Sequence, residues 1–165
     1  MTFQINSSVL NEALKSLNRV VPTRTTLPIL SCVLFKSDGG KLTVRSTNLE
    51  VSMEFNLDAE INEPINIAIP ISKILNVTSS LKREDLNFEI KQDYKIKITT
   101  KFGEYNIMGV SSEDFPNKTE KVKESVLSFS TTDLEEIIDY TINSCSTDDL
   151  KPALQGILLN FNEAK

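Results

Sequence analysis

Two adjacent acidic pairs, Glu113-Asp114 and Asp148-Asp149, come closest in this chain to a catalytic pattern. Neighbouring carboxylates can hold a divalent cation for phosphodiester hydrolysis, but two-metal catalysis needs several carboxylates converging on one point. Glu113-Asp114 stands directly before Phe115-Pro116, where acidic residues more simply serve a turn. The sequence has no histidine, which removes the commonest general base and the commonest transition-metal ligand together. Cys32 and Cys145 lie far apart without Cys-x-x-Cys spacing, so they read as two reduced thiols and not as a zinc site or a disulfide. No catalytic constellation, metal site or cofactor site emerges from these residues, so enzymatic readings start at a disadvantage.

The elements that would position any binding residues come next. At 165 residues, 39% of them hydrophobic and 25% charged, the chain can build one good core and part of another. Its longest apolar runs are strand-sized and none could span a membrane. The opening Met-Thr-Phe-Gln-Ile-Asn has no basic stretch and no apolar h-region, which predicts a cytoplasmic protein. The net charge of −5, from 18 basic and 23 acidic side chains, excludes a generally basic nucleic-acid binder. Where the charges lie therefore matters more than their sum.

Repetition organises the sequence. Alternating segments open at Phe3, Ile65 and Leu127, each 62 residues after the last. In the first unit Ser8 is a candidate cap for a helix carrying Leu10, Leu14, Leu17 and Val21 on one face. Strands are then expected at Leu30 to Lys36, around Leu42 and Val44 beyond the Asp38-Gly39-Gly40 turn, and from Val51 to Leu57. The second unit repeats this order. A strand ending at Pro70 leads into a helix with Ile71, Ile74, Leu75 and Thr78 on one face, then alternating runs over 86–90, 94–98 and 105–107. Two such strand, helix and three-strand units make an α+β domain.

The third unit matches the first at an offset of 124: Leu10 with Leu134, Glu12 with Glu136, Pro28 with Pro152, Leu34 with Leu158. Thr132 and Glu135 have the spacing of a capping box. A charged, apolar-poor stretch from Asn117 to Ser125 separates this unit from the others, as a linker would. The expected division is a complete domain over 1–121, then a linker and the incomplete start of a second domain over 122–165. A duplicated domain that stops after one strand, one helix and one strand implies a piece of a longer protein.

Four motifs then acquire a common meaning: Arg24-Thr25-Thr26-Leu27-Pro28-Ile29-Leu30, Thr47-Asn48-Leu49-Glu50, Glu113-Asp114-Phe115-Pro116-Asn117 and Lys151-Pro152-Ala153-Leu154-Gln155-Gly156. In order and spacing they resemble the bacterial beta sliding clamps, the beta subunits of DNA polymerase III. The family commonly has Asp at the place of Asn48 and Arg at that of Lys151. The resemblance implies a clamp fold in a ring of two protomers with three similar domains each, sheets outside and helices lining the hole. Six units of 62 residues would give a chain of roughly 370. It also implies a processivity factor whose partners are double-stranded DNA, the replicative polymerase, the clamp loader subunits and a second copy of itself.

The resemblance further assigns residues. Arg24 would meet a phosphate at the rim of the hole, a weak, sequence-independent contact. Ser72 and Lys73 at the start of the second helix, and Lys151 in the second domain, are further DNA-binding candidates. Lys15 and Arg19 lie off the apolar face of the first helix and read equally well as solvated surface. Lys73, Val77, Tyr105 and Ile107 are expected at the protomer interface, with the last strand of the first domain pairing edge to edge across the seam. A plain core role is the alternative for Tyr105 and Ile107. The third helix, with Asp133, Glu135, Glu136 and Asp139 and no base, makes a poor phosphate contact.

Overall fold

The computed structural model describes residues 1–37, 40–117, 128–148 and 150–160. The predicted Asp38-Gly39 turn, most of the predicted linker, Leu127 and Asp149 lie outside these. The chain divides into two compact units, Met1–Thr119 and Glu120–Lys165.

The first unit contains two halves with the same order of elements. The first half is β1 (Thr2–Asn6), α1 (Ser7–Leu17), β2 (Cys32–Ser37), β3 (Leu42–Thr47) and β4 (Ser52–Leu57). A two-residue β5 (Glu60–Ile61) leads into the second, which is β6 (Ile65–Pro70), α2 (Ile71–Ser80), β7 (Asp85–Ile90), β8 (Lys95–Thr99) and β9 (Glu104–Met108). The halves do not fold side by side. Each opening strand crosses into the other half's sheet, giving the orders β5-β1-β7-β8-β9 and β4-β3-β2-β6, antiparallel throughout.

One core unites them, with Phe3, Leu14 and Phe35 from the first half beside Ile67, Ile74 and Phe88 from the second. Phe3 stacks on Phe88 with ring centroids 4.3 Å apart, across the β1–β7 pairing. The helices are joined by a 3.2 Å hydrogen bond from Thr78 Oγ1 to Asn11 Oδ1.

Several boundaries differ from expectation for identifiable reasons. Helix α1 is capped by Asn6, whose Oδ1 accepts the Ser8 N–H at 3.0 Å, so Ser8 is helical and not a cap. Ser7 is wholly buried: its N–H donates to Glu84 O at 2.8 Å and its hydroxyl accepts the Glu84 N–H at 3.0 Å. The helix stops at Leu17, short of Val21, ahead of Pro22, which has no N–H to continue it. Residues Pro28–Ser31 form a 3-10 turn, so β2 starts at Cys32 and not at Leu30. Val51 is exposed in a turn, and Tyr94, at φ 61°, lies in the turn before β8.

A short switch ties the two sheets together after β9. Gly109 still donates to Tyr94 O in the first sheet at 2.9 Å, while Val110 exchanges hydrogen bonds of 3.2 and 2.9 Å with Ala68 of β6 in the second. A side chain at 109 would meet Ile67 Cδ1 at 2.8 Å and Ala68 O at 3.1 Å, so only glycine passes. The chain then lies across the outer face of the four-stranded sheet. Phe115 is buried there with Cys32, Leu34 and Ala68, the Arg45 guanidinium sits 5.3 Å from its ring centroid, and Arg45 Nη2 donates to Pro116 O. The Glu-Asp-Phe-Pro motif is thus a fastening. Its acidic pair is exposed in a turn where the Glu113 N–H reaches Ser111 Oγ at 3.3 Å.

In the second unit α3 (Thr131–Thr141) is capped by Ser130, whose hydroxyl accepts the Asp133 N–H at 3.0 Å. Thr132 therefore lies inside the helix, and the expected capping box does not form. The strand expected after the helix of this unit is absent among the described residues, which end at Asn160. A 3-10 turn, Pro152–Leu154, is followed by irregular chain. A strand exists only against a partner, and no described segment of this unit offers it an edge. No residue of α3 is buried.

Two outcomes follow. Arg45→Ala removes the ring contact and the fastening hydrogen bond, and should lower stability by about 1 to 3 kcal/mol, seen as a lower denaturant midpoint at unchanged slope. In hydrogen exchange, amides of Val33 to Phe35 should be protected far more than those of Glu135 to Thr141, because an eleven-residue helix without buried side chains is marginal by itself. Equal protection would show that the second unit has a core of its own.

Candidate nucleic-acid interface

Charge in the first unit is segregated by element. The helices and the connections leaving them carry Lys15, Arg19, Arg24, Lys73, Lys82 and Arg83, all exposed, against a single helical acid, Glu12. The other described acids of this unit lie on strands, on their turns, or, as Glu84, buried at the entry to β7. The ion pairs among the described residues follow the same division: Lys41–Asp58 at 3.3 Å, Lys95–Asp93 and Lys97–Glu104 at 2.7 Å, and the N-terminal amine with Glu63 at 3.5 Å. Asp93 and Glu104 hold the ammonium groups of Lys95 and Lys97 above the usual lysine range, through a hydrogen bond first and then through charge. None of the six helix-associated cations is in an ion pair among the described residues. A protein of net charge −5 thus places cations with a single acid on its helical side, and keeps its other described acids in this unit on or beside the strands.

Arg24 is placed by a connection made from two of the sequence motifs. The Thr25 hydroxyl accepts the Leu27 N–H at 3.0 Å and donates to Leu27 O at 3.2 Å, which shapes the loop ahead of the 3-10 turn. Facing it is the Thr47–Ser52 turn, where Asn48 Oδ1 accepts the N–H groups of Glu50 at 3.0 Å and Val51 at 2.7 Å. The Thr47 hydroxyl accepts the Leu49 N–H at 3.1 Å. These bonds hold Leu49 at φ 79°, a left-handed conformation costly for leucine. A hollow of about 500 Å³ lies between the two motifs, lined by Arg24, Leu27, Leu30, Asn48 and Leu49 among others.

Ser72 and Lys73 are exposed on the first turn of α2, on the same unit as Arg24. Lys151 is exposed in the second unit, at the start of its 3-10 turn, so the structure does not relate it to the others. Val77 and Tyr105 are half-buried against the core, and Ile107 is a core residue. At β9 it is the alternate residues Glu104, Asn106 and Met108 that face outward. Lys82-Arg83, directly behind α2, was not singled out from sequence, although a basic pair immediately after a helix is a readable signal. The exposure of Phe102, 82%, had no sequence signal at all.

Among the described residues no group of three His, Cys, Asp or Glu side chains is placed to hold a metal. Burial pushes the Cys32 thiol up, slightly offset by a hydrogen bond with Ser31, so it is an inert buried group, and Cys145 is half-buried and free. No helix is long and apolar enough to cross a membrane among the described residues.

Comparison with known proteins places this geometry in a family. Residues 1–119 match the family of the DNA polymerase III beta subunit, N-terminal domain. The beta sliding clamp of Buchnera aphidicola subsp. Rhopalosiphum padi is 29% identical over 161 residues, covering 96% of this chain and 44% of the relative. The crystal structure of the DNA polymerase III subunit beta from Pseudomonas aeruginosa superimposes with a TM-score of 0.85 at 27% identity, covering 94% of this chain and 43% of that one. The DNA polymerase beta subunit of Streptococcus pyogenes gives a TM-score of 0.85 at 25% identity. The chain therefore spans less than half the length of these relatives. With the interlocked sheets, the two core-packed helices and the four motifs all in place, the chain belongs to the DNA polymerase III beta subunit family.

Proposed function

We propose that this chain supplies the first domain, over 1–121, and the opening of the second, over 122–165, of a sliding clamp that encircles double-stranded DNA and tethers the replicative polymerase. The observation that carries the reading is the segregation of charge: the helices and the connections leaving them carry six exposed cations and one acid, whereas the other described acids of this unit lie on or beside the strands. A ring with helices inward would present Lys15, Arg19, Arg24, Ser72 and Lys73 to the phosphates, with Lys151 adding one contact from the second domain. Such contacts are weak and independent of sequence, as a sliding protein requires. Residence on DNA then comes from topology and not from affinity. A closed ring of two protomers cannot leave a circular duplex by sliding, and no residue has to perform chemistry.

The protomer seam runs along β9, near Val77 and Lys73 of α2. Because Ile107 is in the core and Tyr105 partly so, the seam is made by the outer main-chain groups of β9 and by the side chains that alternate with these two. A clamp loader opens and places such a ring, and the cytoplasm is where it would meet the replication fork.

Loading tests the reading directly. A protein of the relatives' full length, placed on nicked circular DNA by a clamp loader, should co-elute with the circle and be released when the circle is cut open. Retention that ignores linearisation would overturn encirclement. In the same protein without a loader, Arg24→Ala should weaken association with duplex at low salt and flatten the log–log salt dependence by about 0.9. An unchanged slope would make Arg24 an ordinary loop residue.

A further inference from the structure

The face of the four-stranded sheet that turns away from the core, and so away from the helices, carries polar side chains that the clamp reading does not use. Core residues Val33, Phe35, Leu42 and Val44 alternate there with Leu34, Lys36, Thr43 and Arg45, which therefore point outward. The register arranges the outward side chains in two rows. Ala68, Leu34, Arg45 and Glu54 make one, and Phe115 packs on its apolar part. Asn66, Lys36, Thr43 and Asn56 make the next, polar throughout. Both rows line a cavity of about 660 Å³, to which the segment after β9 adds Ser112 and Asn117.

The charge in this cavity is out of balance. Lys36 and Arg45 are diagonal neighbours on adjacent strands, a spacing of about 7 to 8 Å that long side chains bridge, and their like charges repel. Neither is in an ion pair among the described residues. Arg45 is only 8% exposed, yet its charge is met by the Pro116 carbonyl and the Phe115 ring and not by a carboxylate. Its Nε has no hydrogen-bond partner. A buried charge is normally offset by an opposite one. Glu54, the one acid in the lining, stands beside Arg45 in the register without forming an ion pair with it, and Lys41 at the rim is already paired with Asp58.

Neutral donors complete the arrangement. The Thr43 hydroxyl donates to Asn56 Oδ1 at 2.9 Å, which orients the amide and leaves its NH2 group to donate elsewhere. With Nη2 committed to Pro116 and Nε enclosed, the Arg45 guanidinium supplies charge more than a fork for a planar carboxylate. The ammonium of Lys36 and the Asn56 NH2 can instead each take one oxygen of a tetrahedral anion.

We propose that this cavity binds a small molecule through a phosphate group, with Lys36 and the Asn56 amide on its oxygens and Arg45 adding charge from the adjoining row. The volume is that of a small-molecule site, and Asn66, Ser112 and Asn117 offer polar partners to the remainder of the ligand. The site lies on the opposite side of the core from the helical cations, so it stands whether or not those cations meet DNA.

Nuclear magnetic resonance titration of the 165-residue chain at constant ionic strength tests it, with sodium phosphate, ribose 5-phosphate, ribose and sodium acetate as probes. Both phosphate compounds should shift the amides of Lys36, Thr43 and Asn56 saturably, and ribose and acetate should not. Tighter binding of ribose 5-phosphate would make an organic phosphate the ligand; equal binding would make it free phosphate. Asn56→Asp keeps an oxygen for the Thr43 hydroxyl but sets an anion where the NH2 group was, and Lys36→Met removes a charge from an exposed position. Each should raise the dissociation constant roughly tenfold or more while thermal unfolding stays at the parent's temperature. Shifts confined to the helices, acetate binding as well as phosphate, or indifference to both substitutions would each overturn the proposal.

Discussion

The first unit depends on β1, five residues whose full-length partner lies in the other half of the domain, the near half offering only the two-residue β5. Its hydrogen bonds run to β7 over the full register from Thr2–Glu89 to Asn6–Asp85, and β6 makes the reciprocal crossing to β2. Neither half can close a sheet without the other, so sixty-residue units that look alike in sequence cannot be separate folding units. The side chains reinforce the crossing. Phe3 lies in the core between Phe35 and Phe88, and truncating a ring in such a place costs about 3 to 5 kcal/mol, a large share of the 5 to 15 kcal/mol typical of a whole domain. Ser7 and Glu84 close the same junction with main-chain and hydroxyl bonds.

Interlocking also explains the charge pattern. Once both opening strands are exchanged, the two sheets and the two helices become opposite sides of one core, and each can carry its own electrostatics. The sheet side keeps nearly all the acids and pairs some of its lysines locally; the helical side carries exposed cations beside a single acid, Glu12. A net-acidic chain can in this way present a positive surface without becoming a tight polyanion binder, because the long-range field of the acids opposes prolonged attachment while short-range contacts stay favourable within a Debye length of roughly 10 Å.

Much of this was legible in the sequence. The 62-residue spacing, the apolar faces of α1 and α2 and the alternation of β7 and β9 follow from local periodicity, which needs no knowledge of partners. What could not be read was pairwise. The crossing of β1 and β6 leaves no local mark, since an alternating strand looks the same whichever neighbour it has. Asn6 displaced Ser8 as cap because Ser7 was taken up by Glu84, a contact spanning 77 positions. Arg45 looked like a charge on a strand until Phe115 was laid over it. The predicted strand beyond Leu154 failed for the converse reason: its pattern was strand-like, but no described edge receives it. Of the site, Arg24 and the helical cations were visible as residue types, whereas the fixed exposure of Phe102 and the strained Leu49 depend on turns whose geometry is set by hydroxyl and amide bonds to the main chain.

The passage of the chain from one sheet to the other at Gly109 bears on how the protein is made. When β1 leaves the ribosome its partner β7 has yet to be translated, and the Gly109–Val110 switch that ties the sheets comes later still. Strand β1 must therefore wait for β7 although the four-stranded sheet has all its strands by Pro70, and the tie between the sheets comes only after both. Long-range pairing of this kind slows folding and prolongs exposure to aggregation. A glycine that permits the final crossing without rearrangement of Ile67 or Ala68 removes one obstacle from the last step, and so shortens the interval in which a nascent clamp domain is vulnerable.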